Sequence, residues 1–186
     1  MLMKFSFWGK VPLWMRGLLL ASSIAVASLA LIYQPVKIKG NSMTPLLSND
    51  EAIIINRCVY DFEPVRRGDV VVFRYPLDAT KSYIKRIVGL PGETVQIRKG
   101  LFYVNGSWIP EPYVPSQYED LSDFGPIQVP SDSYFVLGDH RNSSNDSRVF
   151  GTVPRRFIYG RAVFAYWPKD HVGSLSTRTT TEAKNK

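Results

Sequence analysis

The sequence predicts an all-β fold: an antiparallel, β-rich domain carried behind one N-terminal transmembrane helix. Three observations point there. A run near the N-terminus, Gly17 to Tyr33 (GLLLASSIAVASLALIY), carries no charge. Beyond it, short apolar runs rich in β-branched residues alternate with Gly, Pro and Asp, the pattern of strands and turns. No later segment shows a helical period.

The apolar run is 17 residues long, roughly 25 Å as a helix at about 1.5 Å per residue, at the short end of a bilayer core. Trp8, Trp14 and Tyr33 flank it, as interfacial aromatics do. A rival reading is a cleavable signal peptide, with Lys4, Lys10 and Arg16 as its positive region and Ala25-Val26-Ala27 or Ser28-Leu29-Ala30 as its cleavage site. An uncleaved anchor fits better, because the run continues into Leu31, Ile32 and Tyr33. The three N-terminal basic residues favour a short cytoplasmic segment, 1–16, ahead of the anchor, 17–33, and a large domain on the outer side of a cell membrane. Lys37 and Lys39 at the other end weaken that bias.

The soluble part spans 34–172. Glu51–Asn56, Asp69–Tyr75, Tyr83–Val88 and Thr94–Arg98 read as strands. Lys99-Gly100 and Asn105-Gly106 punctuate Leu101–Val104 and Ser107–Ile109 into consecutive hairpins. Tyr134–Leu137 and Arg161–Trp167 close the series. Between them, Pro110 to Pro130 holds five of the 13 prolines and reads as a long surface connection. The polar residues 173–186 read as a disordered tail.

Composition narrows the function classes. Net charge is +7, but the basic residues are dispersed and form no stripe, which argues against nucleic acid and for proximity to a membrane. The single cysteine, Cys58, excludes an intramolecular disulfide, and with only His140 and His171 neither a metal centre nor a cofactor is expected.

Three motifs carry chemistry. In Gly40-Asn41-Ser42-Met43-Thr44-Pro45, Pro45 biases Thr44 away from helix and places Ser42 on a constrained turn; alone, Ser42 reads as a solvated loop serine. In Tyr83-Ile84-Lys85-Arg86-Ile87-Val88-Gly89-Leu90-Pro91-Gly92, strand alternation puts Lys85 between Tyr83 and Ile87 on one face. Burial there would depress its pKa towards the range of a general base. From this run alone an edge-strand lysine with its amine in solvent fits better, and Arg86, on the opposite face, is expected in solvent. The third motif, Gly138-Asp139-His140-Arg141-Asn142-Ser143-Ser144-Asn145-Asp146-Ser147-Arg148, is dense enough in small, charged and hydroxyl groups for a polar network. Asp146 and Arg148 can pair within it, and Ser144 can orient a neighbouring amine. An Asx-rich connection is the plainer alternative.

In this order, Ser-Met-x-Pro after an anchor, then Lys-Arg-x-Val-Gly-Leu-Pro-Gly, then Gly-Asp-x-Arg-x-x-Ser-x-Asp-Ser-Arg resemble the type I signal peptidase family from the anchor to about Pro168. The resemblance implies a Ser42 nucleophile, a Lys85 general base, Ser144 holding the lysine, and Asp146 and Arg148 as support. It implies preprotein substrates with small residues at the first and third positions before the cut, a bilayer as the setting, and no obligate protein partner. Met43 and Ile84, beside the two catalytic positions, are candidate pocket walls. Two departures stand out. Pro45 is followed by Leu46-Leu47 where the family commonly has Thr-Leu. Gly40 stands where some members carry a serine as second oxyanion donor, leaving the Ser42 N–H as the expected donor.

Three other readings remain open. A Ser42–His140–Asp139 triad would leave the lysine motif unexplained. A self-cleaving repressor-type Ser/Lys protease would carry a DNA-binding domain instead of an apolar segment. A non-catalytic, membrane-anchored β-module would use neither residue.

Overall fold

The computed structural model describes residues 12–175. Lys4, Lys10 and Trp8, and all of the tail beyond Leu175, lie outside the described residues.

The apolar run forms α1, Leu13–Ile32, starting four positions ahead of the sequence reading and taking Arg16 into its first turn. Pro12 precedes it, where a missing N–H costs nothing. Its 20 residues span about 30 Å, none is buried, and the helix is long and apolar enough to cross a membrane. Tyr33, assigned to the anchor from sequence, instead opens β1 (Tyr33–Lys37) with no intervening residue.

The chain continues through β2 (Ala52–Asn56), the single turn α2 (Val59–Phe62), and the β3 (Val70–Tyr75) and β4 (Asp78–Gly89) hairpin. Then follow β5 (Thr94–Arg98), β6 (Leu101–Val104), β7 (Ser107–Trp108), β8 (Phe124–Gln128) and β9 (Ser133–Leu137). The turn α3 (Ser147–Phe150), β10 (Val153–Pro154), β11 (Ile158–Trp167) and β12 (Gly173–Ser174) complete it. The described strands pair antiparallel throughout, so the all-β expectation holds, with α2 and α3 as one-turn additions. The larger sheet runs β1-β2-β11-β3-β4-β9-β10, with β12 beside β11, and the smaller runs β7-β6-β5-β8.

Alternation along β3 divides the core. Val70 and Val72 pack into a cluster with Met43, Leu46 and Ile53, whereas Val71 and Phe73 pack on the other side with Ile87 and Val136. Buried on both faces, β3 reads as one continuous apolar run. A third cluster, including Val88, Val95 and Phe135, fills the space beside the smaller sheet.

Two readings are corrected here. The stretch from Pro110 to Pro130 is more than a surface connection: it contributes β8, which pairs with β5, and it buries Val114 and Val129. Residues 173–175 do not belong to the expected tail, because Gly173 and Ser174 pair with β11 and Leu175 lies in the core.

Candidate active site

Ser42 stands on a turn whose apolar neighbours anchor it. Met43, Leu46 and Leu47 sink into the core, and the Leu47 N–H donates to the Met43 carbonyl at 2.9 Å. Leu46, one of the two residues that depart from the family motif, is thus a packing residue. Upstream, the Gly40 N–H donates to Asn49 Oδ1 at 2.8 Å, and the Asn49 N–H to Asn41 Oδ1 at 3.1 Å. Gly40 adopts φ +90°, a conformation that favours glycine. From the opposite side the His140 N–H donates to the Ser42 carbonyl at 3.1 Å, tying the serine turn to the third motif.

Lys85 lies in β4, opposite Val71 of β3, and is 4% exposed. Its Nζ donates to Ser42 Oγ at 2.6 Å and to the Ile84 carbonyl at 3.0 Å, and sits 5.5 Å from the centroid of the Tyr83 ring. Burial pulls its pKa down to about 8, while the Asp146 and Asp139 carboxylates act in the opposite direction. Desolvation disfavours the ammonium more than the two carboxylates favour it. The amine is therefore the buried alternative weighed from sequence, and the solvated edge lysine is set aside.

The pair opens onto a cleft of about 730 Å³ whose walls include Val36, Ile38, Val72 and Ile84. Of the two candidate wall residues, Ile84 lines this cleft. Met43 does not: at 1% exposed it belongs to the core beneath the serine turn, because its neighbour Ser42 takes the outward position.

Asp146 and Arg148 pair as expected, Arg148 Nη2 meeting Asp146 Oδ2 at 2.8 Å. Asp146 also caps α3 through the Arg148 N–H and accepts from the Gly138 N–H at 3.1 Å. Arg148 further donates to the Arg141 carbonyl and to Asp120. Ser144 makes no hydrogen bond to Lys85. Its Oγ is buried and unpartnered, and it presses against Gly138, where an added Cβ would collide with both Ser144 Oγ and the Ser42 carbonyl oxygen.

Arg86 is the clearest correction. Far from being solvated, it is 1% exposed and holds Asp139 with two bonds, Nε to Oδ1 at 2.8 Å and Nη2 to Oδ2 at 2.5 Å. Both faces of β4 are covered here, so alternation cannot deliver Arg86 to water. Asp139 is thereby committed to Arg86, while His140 Nδ1 lies 3.1 Å from the Asn41 carbonyl. The geometry does not assemble a Ser42–His140–Asp139 triad.

Sequence reasoning also missed a latch from the proline-rich stretch. Glu111 accepts two bonds from buried Arg141, both at 2.6 Å, and the Tyr113 ring centroid lies 4.1 Å from the Arg86 guanidinium carbon. The acid in Pro110-Glu111-Pro112 gave no periodic signal. Arg141 and Asp139 did lie inside the third motif, and unassigned charges there were the available hint. Among the described residues no group of His, Cys, Asp and Glu is placed to hold a metal ion.

A hydroxyl hydrogen-bonded to a buried amine at a cleft is an arrangement in which the amine can activate the hydroxyl as a nucleophile. Residues 12–167 match the family described as signal peptidase, peptidase S26. A signal peptidase I of Leptolyngbya laminosa is 43% identical over 148 residues, covering 74% of this chain and 70% of its own length. A probable signal peptidase I-2 of Synechocystis is 38% identical over 176 residues, covering 90% and 78% respectively. A crystal structure of a signal peptidase I from Enterococcus faecalis shares 33% identity at a TM-score of 0.48, covering 53% of this chain and 97% of that one. The chain belongs to the signal peptidase family, peptidase S26, and is a serine peptidase hydrolase.

Proposed function

We propose that this chain is a membrane-anchored endopeptidase that removes N-terminal signal peptides from exported preproteins, with Ser42 as nucleophile and Lys85 as general base. The observation that carries this reading is the 2.6 Å bond between Lys85 Nζ and Ser42 Oγ in an amine whose pKa lies near 8. At pH 7 about a tenth of such an amine is neutral, against well under a thousandth for an unperturbed lysine.

Neutral Lys85 takes the Ser42 proton as Oγ attacks the scissile carbonyl carbon. The negative charge gathers on the carbonyl oxygen, with the Ser42 N–H as donor; the Gly40 N–H is engaged by Asn49 and is not the second donor. The amide C–N bond breaks, and the Lys85 ammonium returns its proton to the departing nitrogen. Water then gives a proton to Lys85 and attacks the ester, and the returned proton restores the Ser42 hydroxyl. Ser144 and the Asp146–Arg148 pair support this unit, Ser144 as the hydroxyl beside the amine once substrate displaces the resting bond.

The shallow apolar walls of Val36, Val72 and Ile84 suit small side chains at the first and third positions before the cut, since larger ones overpack. In this reading α1 spans a cell membrane with the N-terminus in the cytoplasm and the catalytic domain on the outer side, an orientation supported by Lys4, Lys10 and Arg16. The anchor confines enzyme and substrate to one surface.

The test is cleavage of a labelled preprotein by the purified chain. Ser42→Ala abolishes processing; unimpaired cleavage by that variant ends the proposal, and absence of cleavage by the wild type restores the non-catalytic module. Lys85→Ala removes the rise of rate with pH around 8 while His140→Ala keeps it, and the reverse outcome restores the histidine triad.

A further inference from the structure

A second cavity, of about 480 Å³, opens where α1 meets the sheet, and Leu31, Arg57, Tyr60, Asp61, Arg155 and Tyr159 line it. Its position relative to the helix is fixed by the main chain: the Arg57 N–H donates to the Ile32 carbonyl at 2.9 Å, and Tyr33 pairs with Asn56.

Two guanidiniums face this one space, and among the described residues neither has a carboxylate within ion-pairing distance. Arg155 is braced by its bonds to the Tyr60 and Ile158 carbonyls, at 2.8 and 3.2 Å, and by the Tyr60 ring 5.5 Å away. Arg57 is exposed and unbraced. Asp61, also exposed, is the sole acid on the wall, leaving an excess of positive charge. Phe62, beside it at the end of α2, is 87% exposed.

We propose that this cavity binds the phosphate of an anionic membrane lipid. The inference rests on the reading of α1 as a membrane span. A helix of 20 residues matches the hydrocarbon thickness of about 30 Å, so its last turn lies at the boundary where lipid phosphates reside. Leu31 then meets the first acyl methylenes, Phe62 enters the interface, and Arg57 and Arg155 meet the phosphodiester oxygens. Guanidinium forks suit that geometry, and anionic headgroups are the charges a bilayer offers at this depth. A lipid with a choline headgroup carries its own cation and gains less.

The experiment uses the full chain in nanodiscs of equal phosphatidylglycerol and phosphatidylcholine, read by native mass spectrometry of bound lipid. The wild type and Ser42→Ala retain phosphatidylglycerol preferentially, and Arg57→Gln retains about fivefold less, the effect of one interfacial cation. Equal retention by Arg57→Gln overturns the proposal. So does an Arg57-dependent phosphate adduct formed to the same extent by inorganic phosphate in lipid-free detergent, which assigns the cavity to a soluble anion. Preprotein cleavage in detergent by Arg57→Gln stays at the wild-type level, so a failed lipid site leaves the peptidase reading intact. Failure of the wild type to enter the nanodisc removes the span and, with it, this site.

Discussion

Glu111 grips Arg141 across 30 residues of chain, each carboxylate oxygen accepting one guanidinium bond at 2.6 Å. Arg141 in turn donates to the Gly138 carbonyl at 3.0 Å, so the proline-rich stretch and the third motif are one mechanical piece. Removing one partner of a buried pair leaves the other charge uncompensated, at a cost of about 3–5 kcal/mol. Glu111→Gln therefore lowers the midpoint of thermal unfolding by several degrees and reduces kcat more than it raises KM. An unchanged midpoint would show that the latch carries no stability.

In its proposed role Lys85 can take the Ser42 proton only when neutral. With its pKa near 8, kcat/KM for preprotein cleavage rises through pH 8 and levels off above it. A profile flat from pH 6 to 9 removes Lys85 from the proton transfer.

The same shift has a stability consequence. The folded pKa lies below the unfolded value near 10.4, so between pH 8 and 10.4 the unfolded chain binds more protons, and stability rises with pH there. Below pH 8 the full penalty of burying the amine is present. Lys85→Met raises unfolding free energy at pH 7 by about 3 kcal/mol, while activity is lost, and the gain fades above pH 10. Denaturant titrations at the two pH values check both halves.

Gly138→Ala tests the contact between the two loops. The new methyl meets the Ser42 carbonyl and Ser144 Oγ, and the main chain at Ser42 must move. A displacement near 1 Å costs about a hundredfold in rate. Ser144→Gly, introduced as a second change, restores little, because the Ser42 carbonyl still blocks the methyl. Full recovery would put the obstruction at Ser144 alone.

Ser144→Ala separates support from stability. Its Oγ has no partner in the resting site, so removing it costs no hydrogen bond, and the unfolding midpoint stays within a degree or so or rises. A drop in kcat with an unchanged midpoint marks Ser144 as a positioning residue that engages Lys85 when substrate is bound. Wild-type kcat takes that role away.

Much of this was legible in the sequence. β5 and β6 occupy the stretches that β-branched composition and the Lys99-Gly100 and Asn105-Gly106 turns marked. The three motifs converge because their local chemistry (a proline-fixed turn, an apolar strand, a dense polar loop) forces each element independently. What escaped has two causes. β1 and β8 each contain a proline, Pro35 and Pro126, which argues against a strand; both lie at sheet edges, where a missing N–H breaks no ladder. Arg86, Glu111 and Tyr113 were misplaced or missed because burial of charge depends on partners far along the chain. Alternation tells which side a residue faces, not whether that side is wet. Met43 is buried instead, for the related reason that adjacency to Ser42 says nothing about which way the next side chain turns.

The direct passage from α1 into β1, without a linker residue, sets the mechanics of the whole assembly. A catalytic domain on a flexible tether would sample many heights above the lipid. Here the helix end is pinned to β2 by paired backbone, so in an anchored chain tilting the helix tilts the sheet, and the Ser42 hydroxyl rides at a set elevation. Such an enzyme works as a depth gauge: a bond is cut only if its substrate presents it at that elevation, however well its side chains fit.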